Sequence, residues 1–448
     1  MLTLFPLNSK TEFEMKENLA VSTAVDDQHF PMVISDGKDG VIITWRDARN
    51  GNYDIYAQRI NDQGETVWQP DGIPVCKHPA SQTIPEIVSD TNGGAFIVWR
   101  DSRNGNQDSY AQRIDSNGRM MWNPDGVEVC TDKTLQDDIT LIPDGDDGFI
   151  AVWEDWRTGN QDIYAQKINA EGKSIWDENG VPVLTIEGDQ YDPVIISDDA
   201  GGVIVVWWDI GSPDWNIYAQ RLDRDGKQVW DLPIPVCSAK GNQGGSIIVS
   251  DGKGGAFCIW PDYRDDPNFF TSARLYAQHF TSDGTIQWKK DGILICKSDF
   301  NQQQPSAVSD GNGGFIVIWR DERDVFADLY IQRFRPDGKP VWDLEGLPVC
   351  VEGGVQQIPI LVPDGNSGAI ATWLDYRNDF GNVTEDAIYT QKVTSNGEMV
   401  WETNGRAVCV ADKEQITPSA ISTGDGGIVV VWSDARGDDY DIYLQRVD

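Results

Sequence analysis

The chain has 448 residues, of which 40% are hydrophobic and 10% aromatic, and this composition excludes a disordered or collagen-like polypeptide. No apolar run approaches the roughly 20 residues that a membrane helix needs, so no membrane insertion is expected. Asp and Glu outnumber Lys and Arg by 72 to 36, and a net charge of −36 argues against nucleic acid as a partner because such a surface repels phosphate. Cations, cationic proteins and neutral glycans stay open as partners, and adaptation to high salt would produce the same acidity.

The sequence repeats a similar unit along its length, and the N-terminal segment is predicted to complete the last of these units. The final copy stops after its third strand, at "DIYLQRVD", and residues 18–31 align without gaps to residues 72–85. Residues 10–22 are therefore expected to supply the outer strand of the blade formed by residues 415–448. This would close a ring and remove exposed strand edges.

Tryptophan marks that repeat along the rest of the chain. Two series keep pace with each other at intervals of about 54 residues and divide the sequence into eight units, a period typical of repeat architectures. The first series comprises Trp45, Trp99, Trp153, Trp207, Trp260, Trp319, Trp373 and Trp432, and the second comprises Trp68, Trp122, Trp176, Trp230, Trp288, Trp342 and Trp401.

The second unit shows the predicted order of strands. The segments "PEIVS", "AFIVWRD" and "DSYAQRI" are rich in Val, Ile, Trp and Tyr with a period of two, which is typical of strands. The turn "DSNG", with Gly118 in a left-handed conformation, predicts a hairpin, after which "RMMW" begins an outer, fourth segment. Such units predict propeller blades. Residues 1–448 are thus predicted to form one all-β domain, a single closed eight-bladed β-propeller of four-stranded antiparallel blades.

Two known groups of proteins share parts of this pattern. The run from "AQRIDSNG" to Trp122 resembles the tryptophan-docking motif of quinoprotein dehydrogenases and related eight-bladed scaffold propellers, although their adjacent cysteine pair has no counterpart here. The longer pattern W-x-D-x-R-x-G-x-x-D-I-Y-A-Q-R is similar to repeats in large secreted or surface bacterial proteins of unassigned function. The second resemblance spans nearly the whole chain and implies a secreted or cell-surface location, but it lends no catalytic residues.

The cysteines follow the repeat. Six of the seven lie at the end of "G-x-P-V-C" or its equivalent, and the third copy has Leu184 there instead. A position that accepts leucine is a core position, where free cysteine behaves as a small hydrophobe. Equivalent atoms in neighbouring repeats should lie too far apart for a disulfide. Seven free thiols are predicted.

Two polar residues recur in all eight units. The Asp of W-x-D is followed two residues later by Arg in seven units, with Gly211 as the exception. Because an arginine would oppose a cation, this favours an Asp–Arg ion pair that supports the loop between the second and third strands over one metal site per blade. The second recurring residue is a glutamine three residues before the proline position of the first strand. The eight glutamines would form a ring at the channel mouth, where their side chains would face a ligand or form hydrogen bonds within their own loops. The eight glutamines are Gln28, Gln82, Gln136, Gln190, Gln243, Gln302, Gln356 and Gln415.

In blades 4 to 7, the loops between the second and third strands differ from the other copies and contain aromatic residues. Propeller topology places them on the same face as the glutamine ring, so they would raise one apolar rim, unless each loop folds over its own blade. Exposed apolar patches mark partner or ligand surfaces. The predicted ligand-binding residues are these aromatic residues and three variable neighbours of the glutamines: Trp215, Phe269, Phe270, Phe326, Phe380, Tyr191, Gln303 and Gln357.

Motifs for catalysis are absent from the sequence. There is no G-x-S-x-G, H-E-x-x-H or phosphate loop, and the three histidines lack metal-ligand spacing. The segment "DGDDG" at residues 144–148 has some likeness to a calcium loop, yet it lies where other blades have a plain turn. No cofactor and no metal site are predicted, with calcium left open.

The leading hypothesis is a monomeric, non-enzymatic binding or scaffold propeller with no catalytic residues. It would be secreted or on a cell surface, although no signal peptide is visible in "MLTLFPLNSKTEFEMK". It would engage a protein or glycan on the face that carries the outer-to-inner strand connections. One alternative is a polysaccharide lyase or hydrolase with its site at the channel mouth, and another is a multivalent lectin with one site per blade.

Overall fold

The structure is a computed structural model, and it describes residues 18–185, 187–210, 213–266, 271–377 and 386–448. All regular structure in these ranges is β, arranged as eight four-stranded antiparallel sheets. The described ranges contain no helix that is long and apolar enough to cross a membrane.

Each blade begins with an innermost strand that is followed outward by a second and a third strand. The innermost strands are β2 (Gln28–Ser35), β6 (Gln82–Ser89), β10 (Gln136–Pro143), β14 (Gln190–Ser197), β18 (Ile247–Ser250), β22 (Gln302–Ser309), β26 (Gln356–Pro363) and β30 (Gln415–Ser422). The second strands are β3 (Val41–Asp47), β7 (Ala95–Asp101), β11 (Phe149–Asp155), β15 (Val203–Asp209), β19 (Ala256–Asp262), β23 (Phe315–Asp321), β27 (Ala369–Asp375) and β31 (Ile428–Asp434). The third strands are β4 (Asp54–Ile60), β8 (Asp108–Ile114), β12 (Asp162–Ile168), β16 (Asn216–Leu222), β20 (Arg274–Phe280), β24 (Asp328–Phe334), β28 (Ala387–Val393) and β32 (Asp441–Val447).

The outermost strands are short, and one of them comes from the N-terminal end of the described chain. They are β5 (Ile73–Cys76), β9 (Val127–Cys130), β13 (Val181–Leu184), β17 (Ile234–Cys237), β21 (Ile293–Leu294), β25 (Leu347–Cys350), β29 (Arg406–Cys409) and β1 (Leu19–Ser22). In the second blade the predicted start of the outer segment was therefore wrong: Met120 forms only an isolated bridge with Ile114, and the outer strand is β9.

The predicted eight-bladed propeller is confirmed. Each innermost strand contacts the innermost strands of both neighbouring blades, and β30 contacts β2, so the ring is closed. β1 pairs antiparallel with β32 and completes the last blade, as the sequence predicts for residues 18–22. Residues 10–17 of the predicted closing strand lie outside the described residues.

The core lies between the blades and is built by the two tryptophan series. The first-series tryptophans are fully buried at 0% exposure, and every hydrophobic cluster joins residues of adjacent blades. The second series packs on the hairpin of the next blade. Trp68, for example, contacts Gly118, whose φ of +79° and lack of a Cβ both suit this close approach. The left-handed position predicted for Gly118 is therefore present.

The repeated Asp and Arg form the structural ion pair that the sequence favours. In the second blade, Asp101 accepts hydrogen bonds from the Trp99 indole at 2.9 Å and from the Arg103 guanidinium at 2.5 Å. The same guanidinium lies 3.4 Å from the sulfur of Cys76 in the preceding blade. The arginine thus bridges two blades, which gives the motif an architectural role.

The two exceptions in the repeat fall at the same junction between blades. Leu184 of blade 3 replaces the cysteine that would contact the arginine of blade 4, and the sequence of blade 4 has Gly211 in place of that arginine. At the junction of the last and first blades, Arg49 instead contacts the hydroxyl of Ser22 at 3.2 Å. Because Ser22 aligns with the cysteines, this contact agrees with the predicted alignment of the N-terminal segment.

All seven cysteines are free and buried, as predicted. Burial raises the pKa of the Cys76 and Cys130 thiols to about 12, so the reactive thiolate is scarce at neutral pH. We expect seven alkylated thiols by mass spectrometry when the unreduced protein is denatured before alkylation, and almost none when it is alkylated in the folded state. One native disulfide among them would contradict this expectation.

Candidate functional site

The eight repeated glutamines have a structural role in the propeller. All eight glutamines are fully buried, and each amide N–H donates to a backbone carbonyl of its own loop, as between Gln82 and Ala80 at 2.6 Å or Gln136 and Thr134 at 2.7 Å. In the cross-strand register, Gln28 lies opposite Asp47. The glutamines therefore mark the face at which the innermost strands begin and the second strands end, and we call this the mouth face.

Side chains that differ from blade to blade lie next to this uniform frame. In seven of the eight blades, the residue after the glutamine pairs across the sheet with the middle residue of W-x-D, and the sequence reasoning noticed only the first of these two variable positions. Variation at the second position was visible in the sequence and could have pointed to the site. The pairs are His29 with Arg46, Thr83 with Arg100, Asp137 with Glu154, Tyr191 with Trp208, Gln303 with Arg320, Gln357 with Leu374 and Ile416 with Ser433.

A β-bulge on the mouth face contains a third variable position. Two residues after the glutamine, the register of each of these innermost strands shifts, and the residue there takes a φ near +50°. Non-glycine residues seldom adopt this conformation, and strained residues and bulges concentrate at functional sites. The non-glycine residues at this position are Phe30, Ile84, Asp138, Asp192, Gln304, Ile358 and Thr417.

Three carboxyl groups meet where blades 3 and 4 adjoin. Asp138, Glu154 and Asp192 each place a carboxylate oxygen within 4.8 Å of the others. Glu154 is buried, and its two oxygens accept hydrogen bonds from the backbone N–H of Asp192, at 2.8 Å, and from the side-chain amide of Gln161. Asp138 is exposed, so a ligand at the mouth can reach it.

Burial and neighbouring carboxyl groups raise the pKa values of Glu154 and Asp138. Burial and the nearby aspartates raise the pKa of Glu154 to about 7. The pKa of Asp138 is also raised, by desolvation and by Asp192, with which its side chain shares a hydrogen bond. Glu86, on the innermost strand of blade 2, has a pKa raised to about 7 by burial and by Asp138. Groups whose environment shifts their protonation in this way are candidates for acid–base chemistry.

An aromatic stack adjoins the carboxyl cluster. The Trp208 ring lies between those of Tyr191 and Trp215, with 4.6 Å between centroids on each side and interplanar angles of 21° and 25°. The Trp208 indole N–H donates to a carboxylate oxygen of Asp192 at 2.6 Å. Stack and cluster are therefore one connected unit, in which the indole orients an acidic group.

Opposite charges border this unit on the side of blade 2. Arg100 forms an ion pair with Asp137, the neighbour of Asp138. Arg100 is thus already paired with Asp137. In the described ranges, none of the carboxyl groups of Asp138, Glu154 and Asp192 forms an ion pair with an arginine or a lysine.

The predicted ligand-binding residues separate into groups. Tyr191 and Trp215 belong to the aromatic stack beside the carboxyl cluster. Gln303 and Gln357 lie on the mouth face of blades 6 and 7, where their amides donate to the hydroxyls of Tyr263 at 3.4 Å and Tyr376 at 3.0 Å.

The other predicted positions are not joined to this unit by any described contact. Phe326 of blade 6 is 44% exposed, as expected of a rim residue. Phe269, Phe270 and Phe380 lie outside the described residues, so a continuous aromatic rim stays a prediction. Sequence reasoning missed Asp138, Glu154, Asp192 and Trp208.

The carboxyl cluster is also the place where a cation could bind. Within the described ranges, Asp138, Glu154 and Asp192 are the one group of three or more acidic, histidine or cysteine side chains with ligand atoms this close. The segment 144–148 is instead a turn, as expected. One Asp144 oxygen accepts the backbone N–H groups of Asp146 and Gly148, each at 2.9 Å, and the other pairs with Lys167 at 3.1 Å.

Comparison with known proteins agrees with the fold. No family model and no curated protein matches the chain. Among solved structures, the polysaccharide lyase Uly1 aligns with a TM-score of 0.50 and 11% identity over 94% of this chain and 99% of that chain. A puromycin hydrolase gives 0.48 and 12% over 92% of this chain, which spans 59% of the hydrolase. A protein of unknown function from Dyadobacter fermentans gives 0.42 and 13% over 96% and 97%. At these identities the likeness concerns the fold alone.

Proposed function

We propose that the mouth face over blades 3 and 4 binds a glycan and hydrolyses a glycosidic bond. The observation that carries this proposal is the connected unit of three carboxyl groups and three stacked aromatic rings. Hydrolysis of glycosides uses a pair of carboxyl groups, one protonated and one ionised. Aromatic side chains offer a large apolar face with a polar edge, which suits the mixed surface of a sugar ring.

The two accessible aspartates take the two catalytic roles. Asp138 is the proton donor, because its raised pKa keeps a proton available and its side chain is exposed. Asp192 is the carboxylate partner, oriented by the Trp208 indole. Glu154 is a positioning residue, since both of its oxygens are engaged and one of them holds the Asp192 backbone.

The spacing of the carboxyl groups favours one stereochemical outcome. Retaining enzymes place their two carboxyl groups about 5–5.5 Å apart, whereas inverting enzymes need about 6.5–9.5 Å to admit a water molecule. The oxygens of Asp138 and Asp192 lie within 4.8 Å of each other. The retaining arrangement is the nearer of the two, and we propose that the hydrogen-bonded side chains of Asp138 and Asp192 separate to admit the sugar, with a glycosyl intermediate on Asp192 and retention of the anomeric configuration.

A binding protein without catalysis is the second candidate, and the aromatic stack favours it equally. In that case the hydrogen bonds accepted by Glu154 would serve only to hold Asp192, which in turn orients the Trp208 ring of the stack. For either function we propose a monomer that is secreted or displayed on a cell surface, where polysaccharides are found.

The test is a polysaccharide-degradation screen run beside a glycan array, with calcium and with EDTA. We expect Asp138→Asn to lower kcat on a cleaved glycan by at least about 100-fold, the usual contribution of a general acid, with little change in KM or melting temperature. Asp225→Asn is the matched control, because its side chain is 67% exposed on a hairpin.

One result would decide against hydrolysis, and another against the catalytic role of Asp138. If the array shows binding but no glycan is cleaved under either condition, the protein is a binding module. If Asp138→Asn cleaves as fast as the unsubstituted protein, the catalytic role of Asp138 is wrong. In both cases Trp208→Ala would still be expected to weaken glycan binding, because the stack supplies the contact surface.

A further inference from the structure

Arg46 on the mouth face of blade 1 differs from the other arginines. Every other arginine that is not exposed forms an ion pair with an aspartate or glutamate in the described ranges, as Arg49 does with Asp47. Arg46 forms no such pair there, and its Nε–H is buried without a hydrogen-bond partner. An unpaired, partly buried guanidinium is costly, and in a chain with a net charge of −36 carboxylates are abundant.

Aromatic rings hold this guanidinium in place. Its central carbon lies 4.5 Å from the ring centroid of Phe30 and 4.4 Å from that of Tyr53. Phe30 is the residue with the unusual φ of +55° at the bulge of β2, so the backbone of the innermost strand is shaped to bring that ring to the arginine.

The polar neighbours of Arg46 leave it without a fixed anion. His29, its cross-strand partner, has a lowered pKa because of burial and the arginine, and its ring packs on Tyr440 with 4.5 Å between centroids. The charge of Asp27 acts on Arg46, but Asp27 forms no ion pair with it in the described ranges: it accepts the backbone N–H of Tyr440 at 3.1 Å and lies 3.9 Å from His29.

We infer that Arg46 binds the carboxylate of an acidic sugar, so that the glycan at the mouth carries uronic acid residues. This inference rests on the proposed glycan-binding function. Guanidinium groups packed against aromatic rings present their N–H groups at the edge, where a planar carboxylate can accept two parallel hydrogen bonds. The long-range repulsion from the acidic surface is screened at physiological salt, whereas the contact pair is affected less.

The test compares an acidic oligosaccharide with its neutral ester. Trigalacturonate and its methyl ester are titrated by calorimetry into the unsubstituted protein, Arg46→Gln and the exposed control Asp225→Asn. We expect the unsubstituted protein to bind the acid at least tenfold more tightly than the ester, Arg46→Gln to lose this preference, and Asp225→Asn to keep it. Equal binding of acid and ester by the unsubstituted protein, or a preference that survives in Arg46→Gln, would overturn the inference.

A second measurement separates this inference from the proposed hydrolysis. The Nε–H resonance of Arg46, assigned by its loss in Arg46→Lys, is followed by NMR during titration with glucuronate, glucose and glucose 6-sulfate. A shift with glucuronate alone supports the carboxylate site even if no polysaccharide is cleaved. No shift with glucuronate, or an equal shift with the sulfate ester, would contradict the assignment.

Discussion

Deletion of residues 1–25 is expected to destabilise the whole propeller, because it removes the strand that closes the ring. The β1 strand pairs with β32 through Leu19, Ala20 and Ser22, and Val21 is buried at 3% exposure in the cluster between the last and first blades. Buried side chains contribute about 1.5–3 kcal/mol each and backbone hydrogen bonds about 1 kcal/mol. The loss should therefore reach on the order of 5 kcal/mol.

Side-chain contacts add to this loss. Asn18 donates to the Val408 carbonyl at 3.0 Å and accepts from Arg436 at 3.1 Å, so its removal leaves the ion pair of Arg436 with the buried Asp434 partly unsupported. The deletion also exposes the edge of β32, which favours association with other chains.

The measurement is the melting temperature together with the oligomeric state by light scattering. A deletion of residues 1–17, which keeps β1, is the matched comparison, and the difference between the two truncations isolates the strand. We expect the longer deletion to melt several degrees lower or to aggregate. Identical melting temperatures for two monomeric truncations would show that ring closure does not need β1.

The fold was predictable from the sequence because each unit repeats the same local pattern. The spacing of the tryptophans sets the number of blades, and the gap-free alignment of residues 18–31 with residues 72–85 identifies the closing strand. The outer strand of blade 2 was misplaced because "RMMW" directly follows the hairpin turn, where it forms only an isolated bridge, whereas the outer strand β9 pairs over Val127–Cys130. Repetition therefore predicts topology better than it predicts the ends of short edge strands.

The candidate site was predictable only in part. The reasoning that specificity lies where copies differ led to Tyr191 and Trp215, and both belong to the aromatic stack. It missed Glu154 and Trp208 because they occupy the middle position of W-x-D, and the variation at that position was disregarded inside a motif whose other residues repeat. It missed the carboxyl cluster because Asp138 and Glu154 belong to one blade and Asp192 to the next. Their approach depends on the ring geometry and on a bulge, which no single repeat displays.

The stability of the folded protein should depend on pH through the ionisation of the Glu86 carboxyl group. This side chain sits on β6 opposite Val98, and none of the hydrogen bonds or ion pairs in the described ranges involves its carboxyl. Burial and the neighbouring Asp138 raise its pKa from 4.5 to about 7. The folded state therefore holds a proton that the unfolded state releases between these two values.

The sign of the effect follows from that difference. Below pH 4.5 the carboxyl is protonated in both states, and no penalty exists. As the pH rises from 4.5 to about 7, the unfolded state loses the proton first, so the free energy of unfolding falls. Above this window the penalty is complete, on the order of 3 kcal/mol for a shift of this size.

Glu86→Gln removes this titration while keeping the shape of the side chain. We expect the variant to be more stable than the unsubstituted protein by on the order of 2–3 kcal/mol at pH 8.5, and to match it within about 0.5 kcal/mol at pH 4. Urea unfolding at the two pH values measures the difference. Glu154 titrates in both proteins, so its contribution cancels in the comparison. Glu171→Gln, on an exposed hairpin, is the control, and it should show no such pH-dependent gain. A stability difference between Glu86→Gln and the unsubstituted protein that is equal at pH 4 and pH 8.5 would mean that the Glu86 carboxyl is hydrated or paired in solution, and the acidic cluster would then end at Asp138.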